Sequence, residues 1–110
     1  MLDPFTKKRI GKIMDEYVNT KNSSFFNHHT KLNYTINENM VTLVEDRPVF
    51  LYGQWTTLGV AQFRMNDNRW AIYWRDRKND WHFVDKLQPD EDFEKLLEIV
   101  EQDRNGLFGT

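Results

Sequence analysis

The sequence contains no cysteine, and this absence excludes several kinds of site at once. Without thiols there is no disulfide framework, no thiolate nucleophile and no thiolate metal site. Apolar runs are also short: none approaches the ~18 residues of a membrane span, and none follows the basic N-terminal residues as in a secretory signal. We therefore expect a cytoplasmic protein that burial of apolar side chains holds together.

Glycine and serine are also scarce, with five glycines scattered along the chain and Ser23 and Ser24 as its serines. The scattered glycines form no phosphate-binding loop. Neither serine lies in the sharp strand-to-helix turn that presents the nucleophile of a hydrolase. These absences argue against an enzyme, and we predict no cofactor.

What the chain does have is enough length and aromatic content for a core. Its 110 residues suit a single domain, 1–110, and aromatic residues make up 15% of them, so large rings supply much of the core volume. Residues 1–78 carry twelve Lys and Arg against eight Asp and Glu, and residues 79–110 carry three against nine, which leaves a net charge of −2. A dedicated nucleic-acid binder is usually more basic.

Hydrophobic spacing predicts a helix near each end of the chain. The first begins at Asp3-Pro4, a favoured cap and first-turn pair, and residues 19–30 are predicted as a loop. The second begins at about Asp90 with an acidic first turn, which suits the helix dipole, and stops at Asn105-Gly106. The apolar stripes are Ile10, Ile13, Met14, Tyr17 and Val18 in the first helix, and Phe93, Leu96, Leu97 and Val100 in the second.

Between the helices the hydrophobic period changes to two, which predicts antiparallel strands joined by hairpins. The predicted turns are Glu38-Asn39, Asp67-Asn68 and Lys78-Asn79, with an end or bend at Arg47-Pro48 and a bulge or bend near Gly53 and Gly59. Two-residue loops would place Trp70, Ile72, Trp74, Trp81 and Phe83 on one side of the sheet. The opposite side would carry Val60, Gln62, Arg64, Ala71, Tyr73, Arg75, His82 and Val84.

This order of elements predicts an α+β fold. We expect a two-layer sandwich in which an antiparallel sheet of about five or six strands carries the N-terminal and the C-terminal helix on its Trp-rich face.

Several motifs give the chain a family resemblance. They are Arg-Trp-Ala-Ile-Tyr-Trp-Arg at 69–75, Asp-Trp-His-Phe at 80–83, the apolar stripe from Phe93 to Val100, Asn-Gly-Leu-Phe-Gly at 105–109, and Glu-x-Arg-Pro at 45–48. Together they resemble a small uncharacterised bacterial family, the domain of unknown function 3024, over most of the chain. The resemblance implies a shared fold, and it gives no indication of an activity.

Metal-dependent chemistry has two weak candidates. His28 and His29 are adjacent, so in extended backbone their side chains point to opposite sides and chelate poorly. Asp76, Lys78 and Asp67 faintly resemble the carboxylate and lysine groups of metal-dependent nucleases, but turn formation also explains them. We predict no metal site, and a small metal-dependent hydrolase or nuclease is the second alternative for function.

The main functional hypothesis concerns the second sheet face, where we expect Gln62, Arg64, Tyr73, Arg75 and His82 to cluster. Guanidinium groups bind phosphate or carboxylate bidentately, and a flat ring stacks on a base or an aromatic side chain. We predict a non-enzymatic binding or adaptor domain that uses this face. Because the net charge is acidic, a protein partner is favoured over nucleic acid, and a second copy could pair through exposed strand edges. Nucleic-acid binding through this face is the first alternative, and a solvated face without a partner stays open.

Overall fold

A computed structural model describes residues 2–23, 31–49 and 54–103 of the chain. These residues form two helices and a five-stranded antiparallel sheet, so the predicted α+β fold is confirmed. The sheet order β1-β2-β3-β4-β5 follows the chain, which makes the sheet a meander. In chain order the elements are α1 (Pro4–Asn22), β1 (Lys31–Asn37), β2 (Met40–Val49), β3 (Gln54–Asn66), β4 (Arg69–Arg75), β5 (Trp81–Phe83) and α2 (Phe93–Gln102).

Acidic caps set the start of both helices. The Asp3 carboxylate accepts a hydrogen bond from the backbone N–H of Thr6 at the start of α1, and the Asp92 carboxylate accepts from the backbone N–H groups of Glu94 and Lys95 at the start of α2. α1 continues to Asn22, into the segment predicted as a loop. α2 begins later than Asp90, because the backbone of Asp90 pairs with that of Trp70 beside the sheet. The predicted helix stop at 105–106 lies outside the described residues, and so do the two adjacent histidines at 28 and 29.

The core lies between the two helices and the sheet face that they cover, called here the helix-side face. The Phe93 ring of α2 lies 4.8 Å from the Phe63 ring and 5.0 Å from the Trp70 ring, measured between centroids. The core also includes Ile10, Met14, Val18, Val41, Leu43, Ala61, Ile72, Leu96, Leu97 and Val100. Glu45 is buried on this face too, where it forms an ion pair with Arg47.

The first two predicted hairpin turns have the expected register. Tyr34 faces Leu43 and Ile36 faces Val41 across β1 and β2, and Met65 faces Trp70 and Phe63 faces Ile72 across β3 and β4. Positive φ angles at Glu38, Asp67 and Asn68 match the needs of two-residue hairpin turns.

The pairing of β2 with β3 contains the bulge expected near Gly59. Leu43 pairs with Ala61 while Val44 pairs with Gly59, so Val60 is the inserted residue, and its side chain is buried. β2 does not end at Pro48, because pairing continues to Val49.

The third hairpin differs from the prediction by one residue. Tyr73 pairs with Phe83, Trp74 with His82 and Arg75 with Trp81, whereas a two-residue loop would have paired Trp74 with Phe83. An odd loop reverses the side on which every residue of the second strand lies. Trp81 and Phe83 therefore lie on the face turned away from the helices, and His82 lies on the helix-side face. Val84, whose N–H donates to the carbonyl of Ile72, belongs to the core.

Side-chain hydrogen bonding by Asp76 explains the odd loop. Its carboxylate accepts the backbone N–H of Lys78 at 2.7 Å and that of Asp80 at 3.0 Å. The Asp76 backbone N–H donates to the Asp80 carbonyl at 2.9 Å, and Asn79 adopts a φ of 69°. Residues 77–79 thus form a three-residue loop with a left-handed last residue, which is a common hairpin geometry.

Candidate functional site

The sheet face turned away from the helices, called here the open face, has no helix packed on it among the described residues. Strand pairing places on it side chains from all five strands. Those with polar, charged or aromatic groups include Lys31, Thr42, Asp46, Trp55, Gln62, Arg64, Arg69, Tyr73, Arg75, Trp81 and Phe83. Four of the five predicted site residues therefore share this face, and His82 does not.

Arg64 and Tyr73 form the centre of the open face. The Arg64 guanidinium carbon lies 3.9 Å from the centroid of the Tyr73 ring, which is a close cation–π contact. Arg64 Nε donates to Gln62 Oε1 at 2.7 Å, and Gln62 Nε2 donates to Thr42 Oγ1 at 2.9 Å. Gln62, only 6% exposed, thus holds the arginine in place. Within the described residues, the two terminal nitrogens of Arg64 donate no hydrogen bond.

Arg75 has a structural role that the sequence did not reveal. Its Nε donates to the Gly59 carbonyl at 3.2 Å, and its Nη1 donates to the Asp76 carbonyl and to Asn79 Oδ1. These bonds tie the β4–β5 loop to β3. Arg75 still adds positive charge to the open face, but most of its donor groups are already used.

His82 lies on the other side of the sheet, next to Trp74. The two ring centroids are 5.0 Å apart, and His82 Nε2 lies 2.6 Å from Asp76 Oδ2. The hydrogen bond with His82, followed by the backbone N–H of Asp80, lowers the pKa of the Asp76 carboxyl. His82 therefore supports the hairpin loop and does not contribute to the open face.

Three further aromatic residues lie on the open face, and the sequence did not predict them as site residues. Phe83 is 45% exposed, and its ring packs edge-on against Tyr73 at 5.8 Å. Trp81 packs over Gly59, where an added Cβ would approach its ring to 2.9 Å. Trp55, 54% exposed, has the Lys31 ammonium 5.8 Å from its ring centroid. The odd loop hid Trp81 and Phe83 from prediction.

Positive charge dominates the strands of the open face. Lys31, Arg64, Arg69 and Arg75 point to it, and among the described strand residues Asp46 is the one carboxylate there. Arg69 forms no ion pair or side-chain hydrogen bond within the described part of the chain. Its place follows from simple alternation, since it lies two residues before Ala71 on β4.

Three of the nine carboxylates after residue 79 lie behind the sheet, on α2. Glu94 pairs with Arg9 at 3.7 Å, and Glu101 pairs with Lys21 and accepts the hydroxyl of Tyr17. The net charge of −2 therefore includes carboxylates on α2 that lie away from the basic open face.

The candidate nuclease residues do not converge. Asp67 lies in the β3–β4 turn and Asp76 in the β4–β5 loop, at opposite ends of a seven-residue strand that spans ~20 Å. Among residues 2–23, 31–49 and 54–103, no three His, Asp or Glu side chains come close enough together to hold a metal ion. No helix in these ranges is sufficiently long and apolar to cross a membrane.

Comparison with curated proteins and with solved structures gives no match. A family model described as a domain of unknown function (DUF3024) matches residues 2–110. This match includes the β4–β5 hairpin and both helices of the described fold. The chain therefore belongs to the DUF3024 family, as the motif resemblance predicted.

Proposed function

We propose that this chain is a non-enzymatic binding domain that holds single-stranded nucleic acid on its open face. One observation carries the proposal: the rings of Trp55, Tyr73, Trp81 and Phe83 share a sheet face with four cationic side chains and one strand carboxylate. Proteins bind single strands with this combination, because bases stack on aromatic rings while cations neutralise the phosphates.

The sequence favoured a protein partner because the chain is acidic overall, and the distribution of charge weakens that argument. The carboxylates that make the chain acidic are concentrated after residue 79, and those on α2 lie on the far side of the sheet from Arg64 and Arg69. Exposed charges more than about 8–10 Å apart are largely screened at physiological salt. A polyanion on the open face thus meets a locally positive surface.

Single strands are preferred over duplexes on this surface. Stacking requires an unpaired base, and Phe83 and Trp55 present rings that are about half exposed. Duplex recognition through the major groove uses a helix or a β-ribbon that projects from the protein. The open face is instead part of a five-stranded sheet.

Fluorescence anisotropy with labelled single-stranded DNA, single-stranded RNA and duplex DNA tests the proposal, at several salt concentrations. The wild-type chain is compared with Arg64→Gln/Arg69→Gln and with the control Lys7→Gln/Lys8→Gln, which removes the same charge from the exposed surface of α1. We expect the first variant to bind more weakly and the control to bind like wild type. Loss of two phosphate contacts should make the negative slope of log K against log salt less steep by about 1.4 for a single strand.

Equal weakening in both variants would show that net charge, not the open face, governs binding, and would overturn the proposal. Absence of binding to every oligonucleotide at tens of micromolar protein, an order of magnitude where non-specific binding is normally seen, would also overturn it. Tyr73→Ala and Phe83→Ala would then test whether the open face contacts a protein partner.

A further inference from the structure

A concavity on the open face has Ala71 as its floor. Ala71 lies opposite Arg64 across the β3–β4 pair, and Arg69 and Tyr73 flank it on the same face of β4. All three neighbours are much larger than alanine. Ala71 and these neighbours, together with Asn66, Asp67, Phe83 and Pro89, line an open depression of about 690 Å³. Pockets for small molecules are typically roughly 300–1,000 Å³.

The walls of this concavity are apolar and held in place by the fold. Phe83 forms one part, with its ring packed edge-on against Tyr73. Pro89 forms another part, from the segment that follows β5. The next residue, Asp90, exchanges two backbone hydrogen bonds with Trp70, of 2.7 and 3.0 Å, which fix this segment beside β4.

The rim of the concavity is polar and has a net positive charge. Arg64 and Arg69 both line it, together with Asn66 and the Asp67 carboxylate. Arg69 has no partner among the described residues, and Arg64 uses its Nε alone for hydrogen bonding there. The rim thus has guanidinium nitrogens available for an anion, and the carboxylate is able to accept a hydrogen bond from an amino group.

The geometry points to a subsite for one nucleotide of a bound strand, with the base over Ala71 and between Phe83 and Pro89, and its phosphate at Arg64 and Arg69. A planar apolar ring suits the floor and walls, and guanidinium groups suit phosphate because they bind it bidentately. An adenine or cytosine amino group suits the Asp67 carboxylate. This inference rests on the proposed function and adds the position and the chemical class of the group that is bound.

The sequence offers a direct probe, because Ala61 and Ala71 are its alanines. Labelling alanine methyls with ¹³C gives one signal from the floor of the concavity and one from Ala61, buried on the helix-side face. We expect adenosine 5′-monophosphate to shift the Ala71 signal through the ring current of the base and to leave Ala61 unchanged. Adenosine, which lacks the phosphate, should bind more weakly, and inorganic phosphate alone should not produce the ring-current shift.

Two substitutions at the floor provide the matched test. Ala71→Phe fills the concavity, and we expect it to weaken binding of adenosine 5′-monophosphate by about tenfold or more, as expected when ~1.4 kcal/mol of contact is lost. Ala71→Ser keeps the space open and serves as the control. Thermal unfolding checks that both variants fold. If Ala71→Phe does not fold, the methyl titration of the wild-type chain decides the matter.

The outcomes separate this inference from the proposed function. If oligonucleotides bind but the mononucleotide leaves the Ala71 methyl unchanged, the subsite is overturned and the proposed function stands. If the mononucleotide shifts Ala71 and oligonucleotides do not bind, the concavity is a site for a free nucleotide, and both the proposed function and the assignment of the concavity to a bound strand are overturned. If both ligands fail, both are overturned.

Discussion

The side-chain amide of Asn22 occupies the position that a neighbouring strand would take beside Leu32. Its Nδ2 donates to the Leu32 carbonyl at 2.9 Å, and its Oδ1 accepts the Leu32 N–H at 2.8 Å. Asn22 is the last residue of α1, and Leu32 lies on the edge strand β1. At the next outward position, the Tyr34 N–H donates to Asn33 Oδ1. The β1 edge is therefore partly blocked, which argues against dimerisation by pairing at this edge of the sheet.

Replacing Asn22 should open this edge. In Asn22→Ala the N–H and carbonyl of Leu32 lose their partners, and we expect concentration-dependent self-association together with a loss of about 1–2 kcal/mol in the free energy of unfolding. Sedimentation velocity at several protein concentrations measures the first effect, and urea unfolding measures the second. Asn19→Ala, at an exposed position on the same helix, is the control. A variant that stays monomeric like the control would show that Asn22 does not protect the edge.

The Tyr34 hydroxyl connects β1 to α1, and its titration makes the free energy of unfolding depend on pH in the alkaline range. It donates to Asp15 Oδ1 at 2.6 Å and lies 3.2 Å from the Gly11 carbonyl. Burial, and then the hydrogen bond and charge of Asp15, raise the pKa of Tyr34 to about 12 from the usual 10. Because the folded-state pKa is above the unfolded one, this contribution is complete below pH 10 and is lost as pH rises towards 12.

Tyr34→Phe should separate this contribution from other alkaline effects. At neutral pH we expect the variant to be about 1 kcal/mol less stable, since it loses a hydrogen-bonded hydroxyl. Between pH 10 and pH 12 its stability should fall less steeply than that of the wild-type chain. Urea unfolding across this range measures both slopes, and parallel slopes would contradict the pKa shift.

The first two hairpins were predictable because their turns depend on residues that are near in sequence. Glu38, Asp67 and Asn68 take positive φ in two-residue loops, and alternation then assigns every neighbouring side chain. The third hairpin was not predictable by the same rule. Its loop length depends on hydrogen bonds from the Asp76 carboxylate, and Lys78-Asn79 is an equally reasonable turn centre.

The one-residue difference in register at the third hairpin changed which residues belong to the candidate site. Arg64 and Tyr73 follow from the β3–β4 turn and were placed correctly on the open face, whereas His82, beyond the Asp76 loop, was placed on the wrong side. The same shift brought Trp81 and Phe83 out of the expected core. The site is consequently more aromatic than the sequence indicated.

Asp76 and His82 predict a second pH effect, at acidic pH. The pKa of Asp76 is lowered in the folded chain, first by its hydrogen bond with His82, so its stabilising effect is present above the unfolded value of about 4 and is lost as pH falls through the lower folded value. His82→Ala removes the largest cause, and we expect the pKa of Asp76 to rise towards its usual value. A ¹³C NMR titration of the carboxyl signal measures it, with Asp80→Asn as a control that leaves the His82 contact in place. An unchanged pKa in His82→Ala would assign the shift to the loop backbone instead.

Two glycines give opposite predictions for the same substitution. At Gly11, in α1, an added Cβ would come no closer than 3.9 Å to the Tyr34 hydroxyl, so Gly11→Ala should stabilise the chain by about 0.5–1 kcal/mol through helix propensity. At Gly59 a Cβ would lie 2.9 Å from Arg75 Cδ and from the Trp81 ring, so Gly59→Ala should destabilise it by about 1–3 kcal/mol. Urea unfolding measures both changes. Because the displaced Trp81 ring lies on the open face, Gly59→Ala should also weaken oligonucleotide binding, and Gly11→Ala should not.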